Sequence, residues 1–130
     1  MIDLNPLAVA VAVVAAFVLS SAYYAVFGTQ LAALSEAYAD TARPPAWKIL
    51  VELVRSLVVV LVVAGLASLL EISTWTVGVW LGLALWIGFP VVLLTGSVVH
   101  ENVPGKLAAI HAGDWLLKLV VASVIVSVWR

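Results

Sequence analysis

Four long apolar stretches, residues 7–27, 47–70, 75–99 and 106–129, occupy most of this 130-residue sequence. A helix crosses a bilayer with about 20 mainly apolar residues, and each stretch reaches that length. So much apolar surface exceeds what a chain this short could hide in a water-soluble core, because small domains expose a large share of their surface. Composition agrees: 65% of residues are hydrophobic, 10% are charged, and the mean hydropathy is +1.23. The expected fold is therefore all-α, a polytopic four-helix bundle in a lipid bilayer. One transmembrane domain would span residues 1–130, with no soluble domain left over.

Charge and cysteine content exclude several functions. A net charge of -1 leaves no basic stripe to neutralise phosphates, which argues against nucleic acid as a partner. No cysteine is present, so disulfides, thiolate catalysis and cysteine metal sites are excluded. The first residues, Met1-Ile2-Asp3-Leu4-Asn5-Pro6, lack the positive start of a secretory leader, and no Lys or Arg precedes Arg43. The first stretch is read as a retained span, with Asn5-Pro6 as its cap and first turn.

Connections set the expected topology. The segment from Thr29 to Ala46, carrying Glu36, Tyr38, Asp40 and Arg43, is the one long link, and Leu31, Leu34 and Tyr38 have helical spacing. That link is expected either to prolong the first span or to lie along the interface. The links around Glu71 and around His100 to Gly105 are tight, which predicts sequential spans packed as antiparallel neighbours. Arg43 and Lys48 flank the first link and Lys106 the third, so the positive-inside rule puts both links in the cytoplasm and both termini outside. Arg130 opposes that bias. Trp47, Trp75 and Trp129 fall at span ends, where amphipathic rings favour the headgroup level. Trp80, Trp86 and Trp115 lie deeper and are expected to pack inside. In the third span Gly78, Gly82 and Gly88 permit close helix approach, within the chain or between subunits, and Pro90 is expected to kink the helix.

Polar residues within the spans are the candidate functional groups. At 100° per residue His111, Asp114 and Lys118 lie within about 60° on one face, as do Lys48, Glu52 and Arg55. Glu52 and His111 sit about 9 Å past their helix starts, so the two stripes share a depth. The simplest reading is two intrahelical ion pairs, Glu52–Arg55 and Asp114–Lys118, that meet across the bundle. A lone charge at mid-span costs about 2.5–3.5 kcal/mol or more, and pairing reduces it. The functional readings are a polar pocket or proton path through Glu52, Arg55, His111, Asp114 and Lys118. His111 is the group that titrates near neutral pH. Weaker candidates are Tyr23, Tyr24, His100 and Glu101. Metal binding by His100, Glu101, His111 and Asp114 would use suitable ligand types, but their spacing matches no metal motif, so no metal or cofactor is expected. Ser56, Ser97 and Ser123 sit in no nucleophile elbow, and enzymatic activity is not expected.

Several groups together carry a family likeness: Tyr23-Tyr24-Ala25-Val26-Phe27-Gly28, then Trp86-Ile87-Gly88-Phe89 leading to His100-Glu101, and Ala112-Gly113-Asp114-Trp115-Leu116-Leu117. In order and spacing the chain resembles the small bacterial membrane proteins of domain of unknown function 1761. It departs at Tyr23, where tryptophan is usual, and at Asp114, where an aromatic or neutral residue is expected. The resemblance implies a four-span membrane protein and no particular activity. The reading reached is a self-associating bundle of the bacterial inner membrane, a homo-oligomer with a cytoplasmic-side polar pocket. That pocket would take a small ligand, a lipid headgroup or a protein partner. The alternative is a small proton-coupled transporter or channel.

Overall fold

The structure is a computed structural model that describes residues 2–38 and 45–129. Asp40, Arg43 and Arg130 lie outside the described residues. Four helices are long and apolar enough to cross a membrane, and no strand occurs among the described residues. The chain is an all-α, four-span protein.

Local chemistry explains where each helix starts and stops. α1 (Pro6–Val26) begins with Pro6 in its first turn, and the Asn5 side chain accepts from Leu7 N and Ala8 N. That bond satisfies amides left orphaned at a helix start. Phe27 ends α1, and a separate short helix α2 (Gly28–Leu34) follows and buries Leu31. A one-turn 3₁₀ helix, Glu36–Tyr38, then returns the chain toward the bundle. The start of the long link thus breaks from the first span at Phe27 instead of prolonging it, and α2 packs on α6. α3 (Ala46–Leu69) starts after Pro45. It ends with Glu71 at φ 53°, Ile72 N donating to Ala67 O and Glu71 N to Ser68 O. This left-handed stop caps the last carbonyls and tucks Ile72 into the core.

The third span runs from Trp75 to Glu101. α4 (Trp75–Trp86) is capped by the Thr74 hydroxyl, and α5 (Val92–Glu101) completes the span. Between them, Ile87–Val91 form a π-helical turn around Pro90. Pro90 lacks an N–H to donate, and the wider turn accommodates it without ending the helix. α6 (Gly105–Val128) follows Pro104.

Packing centres on α6, which touches α1, α2, α3, α4 and α5. In its most apolar window 39% is buried, against 17% for α1 and 22% for α3, so α6 is the hub. One half of the bundle is dry. There Val9 and Ala12 of α1, Val60, Val63, Ala64 and Ala67 of α3, and Leu119, Ala122 and Val126 of α6 form one cluster. The outer surface carries Val14, Val18, Val58, Val62, Phe89 and Leu93, all exposed, as expected where lipid is the solvent.

Two expectations need correction. The tight link at Glu71 predicted α3 and α4 as packed neighbours, yet α4 seats on α6 instead. The reason is steric: Gly78 and Gly82 let the α4 backbone reach α6. A Cβ at Gly82 would meet Val120 Cα at 2.7 Å, and one at Gly78 would meet Ser127 Oγ at 3.0 Å. The close approach ends there, since a Cβ at Gly88 would meet nothing within 4 Å. Trp80 was expected inside, but it is 70% exposed. It lies opposite the glycine stripe, so seating the glycines on α6 turns Trp80 outward. Trp86 and Trp115 do pack against the core.

Candidate functional site

Opposite the dry half, α1, α3 and α6 leave a cavity of about 780 Å³. It lies at the bundle end that carries the first and third links. Into it α6 sends His111, Asp114, Trp115 and Lys118, and α3 sends Lys48, Glu52, Arg55 and Ser56. Ser20 and Tyr24 come from α1, and Tyr38 from the 3₁₀ turn. The five principal candidates from the sequence, Glu52, Arg55, His111, Asp114 and Lys118, all line this one space, as does Tyr24.

Both predicted ion pairs are formed, in different surroundings. Lys118 Nζ lies 3.0 Å from Asp114 Oδ2, and the two side chains are 10% and 2% exposed. Lys118 also stands over the Trp115 ring, 4.9 Å from its centroid, which adds a cation–π contact. Asp114 Oδ1 is buried without a hydrogen-bond partner. Arg55 pairs with Glu52 one turn away, but those side chains are 57% and 42% exposed. Lys48 turns back over the Trp47 ring at 5.6 Å.

His111 has an aromatic setting. Tyr24 Oη and His111 Nδ1 lie 2.6 Å apart; with Nδ1 unprotonated, the phenol donates and the imidazole accepts. Tyr38 stacks on Tyr24 at 6.3 Å and lies 6.1 Å from the His111 ring. Burial pushes the Tyr38 phenol above its ordinary pKa. The Glu52 and Asp114 carboxylates add to that rise and Arg55 opposes it.

Other candidates fall elsewhere. The Tyr23 hydroxyl donates to the Ile110 carbonyl at 2.7 Å, over Gly113, where a Cβ would meet Tyr23 Oη at 2.2 Å. Tyr23 therefore braces α1 on α6 and is not among the cavity-lining residues. The Trp86 indole donates to the Ala112 carbonyl at 2.8 Å and braces α4 at the same level. His100 and Glu101 are exposed at the end of α5 and do not line the cavity. Among the described residues no three His, Asp or Glu side chains come together to hold a metal ion, so His100, Glu101, His111 and Asp114 do not assemble into one site. Reasoning from sequence missed Tyr38 as a lining residue. Its one signal was an aromatic at helical spacing from Leu31 and Leu34 in the long link.

Below Lys118 the space closes. A separate void of about 10 Å³, roughly room for one water, lies beside Arg55, Ser56 and Lys118 on one side and Ala16, Val60 and Ala122 on the other. Beyond it is the dry cluster.

Four apolar spans, three of which line a polar cavity at one end of the bundle, define a multi-pass integral membrane protein. Residues 7–127 match the family described as "Protein of unknown function (DUF1761)", and the chain belongs to that family. No curated protein and no solved structure matches it.

Proposed function

We propose that this is a non-enzymatic binding protein of the bacterial inner membrane, whose cavity holds a small polar or amphiphilic ligand. One observation carries the reading: a space of about 780 Å³ at one end of the bundle, lined by both ion pairs, with the apolar cluster packed in the other half. A purely structural pair of ion bridges needs no such space, and a conduit needs an exit that the dry cluster blocks. Drug-sized ligand sites are clefts of about 300–1,000 Å³ with a few placed polar groups, and this cavity falls in that range. The positive-inside bias supports a cytoplasmic opening, with both termini outside. Self-association is supported by the third span, which is held through α6 and leaves Val77 and Trp80 of α4 and Leu93 of α5 exposed.

Native mass spectrometry of protein purified in mild detergent tests this reading. A discrete bound mass is expected, and it is lost in Ser20→Trp, which fills the cavity from α1. No bound mass in the unmodified protein overturns the proposal. A second reading, a proton-coupled transporter using Glu52, His111 and Asp114, is favoured by the Tyr24–His111 contact beside the unpartnered Asp114 oxygen. Proton flux in proteoliposomes that falls in His111→Ala would replace the binding reading with this one.

A further inference from the structure

The lining of the cavity is divided by chemistry, and the division specifies a ligand. The most buried polar group of the lining is the Asp114 carboxylate, 2% exposed, with Oδ2 held by Lys118 and Oδ1 without a close donor. The Tyr24 hydroxyl, 2.6 Å from His111 Nδ1, also lies within reach of a hydrogen bond to this carboxylate. A buried carboxylate oxygen is costly to leave short of donors, and with only the Tyr24 hydroxyl beside it Asp114 can accept a further N–H or O–H from the cavity that it lines. Nearer the mouth the surplus has the opposite sign. Among the described residues Lys48 forms no ion pair, and Arg55 spends one guanidinium nitrogen on Glu52 with no second acceptor bonded. The lip is apolar: Ile49 and Val51 line the cavity and are 38% and 45% exposed, with Phe17 opposite on α1. Trp47, 63% exposed at the start of α3, sets this lip at headgroup depth.

We propose that the cavity binds a zwitterion of the phosphoethanolamine type, its ammonium N–H on Asp114 Oδ1 and its phosphate at Lys48 and Arg55. The inference rests on the binding-protein reading and names its ligand class. This chemistry occurs as a phospholipid headgroup and as a soluble phosphoamine. The exposed Ile49 and Val51 give acyl chains an exit toward the bilayer, which suits the lipid form.

The test places the protein in bilayer discs containing equal amounts of phosphatidylethanolamine, phosphatidylcholine and phosphatidylglycerol, and identifies retained lipid by native mass spectrometry. Phosphatidylcholine has the same charges but no N–H, so several-fold preference for phosphatidylethanolamine is expected. In Asp114→Asn that ratio should fall toward one. In Lys48→Glu, a change at the mouth, retention of both zwitterions should fall several-fold. Should Asp114→Asn fail to fold, the ethanolamine-to-choline ratio of the unmodified protein still decides. Displacement of the lipid by free O-phosphoethanolamine would assign the soluble form, and absence of displacement the lipid form. Equal retention of the two zwitterions overturns the donor assignment while leaving a binding cavity. Preference for phosphatidylglycerol overturns the zwitterion. Retention of no lipid and no phosphoamine overturns this inference, and the binding reading falls with it only if the protein purified in mild detergent also carries no bound mass.

Discussion

Asp114–Lys118 and Glu52–Arg55 are the same chemical object in two settings. Each is an acid followed within a turn by a base, and both line the same cavity. One is nearly sealed, the other about half exposed. The difference comes from their helices: α6 is packed by neighbours on several sides, whereas the first turns of α3 face the cavity and the outer surface. An ion pair in solvent contributes about 0–1 kcal/mol, and a buried one is costly chiefly when broken. Burial therefore commits Asp114 to its pairing with Lys118, and leaves Glu52 and Arg55 free to rearrange.

The largest test of that contrast is Lys118→Met. It leaves the Asp114 carboxylate buried with neither oxygen paired, and stability should fall by about 3–5 kcal/mol, read by thermal unfolding in detergent. The double change Asp114→Leu with Lys118→Met should recover most of that loss, because an apolar pair of similar volume needs no partner. Equal losses in the single and double variants would show that shape, not charge, holds this position.

Next in size is Gly113→Ala, which sharpens the contrast by disturbing only the buried side. Its Cβ would stand 2.2 Å from Tyr23 Oη. Moving the ring costs the Ile110 bond and about 1–3 kcal/mol of packing strain. Adding Tyr23→Phe should return part of the loss, and no recovery would mean that the strain lies in the backbone. A smaller effect, about 0.5–1.5 kcal/mol, is expected for Tyr24→Phe, which removes the hydrogen bond to His111. Smallest is Glu52→Gln, below about 1 kcal/mol, measured as a change in unfolding temperature that high salt erases. A loss as large as that of Lys118→Met would abolish the distinction between the pairs.

Much of this architecture is legible in the amino-acid sequence. Spans depend on how each residue partitions into lipid, a property carried almost wholly by local composition, so four apolar helices follow from the sequence. Pairing of Asp114 with Lys118 and of Glu52 with Arg55 is legible for a related reason, since residues three and four apart share a helix face. Their convergence on one cavity follows from equal depth. The neighbours of α4 are not legible. A tight turn at Glu71 brings the ends of two helices together but leaves open which flank the second one seeks, and Gly82 against Val120 settles that. Trp80 is misplaced by sequence reasoning because its direction depends on that same contact.

The sequence by itself determined an all-α membrane protein with two acid–base pairs at matching depth, because hydropathy and helical spacing act over a few residues. Only the tertiary structure decided which pair is sealed, that His111 meets the Tyr24 hydroxyl, and that His100 and Glu101 stay outside. Those outcomes depend on which helix takes the centre of the bundle. That place went to α6 through contacts between residues far apart in the chain, such as Tyr23 with Ile110 and Trp86 with Ala112.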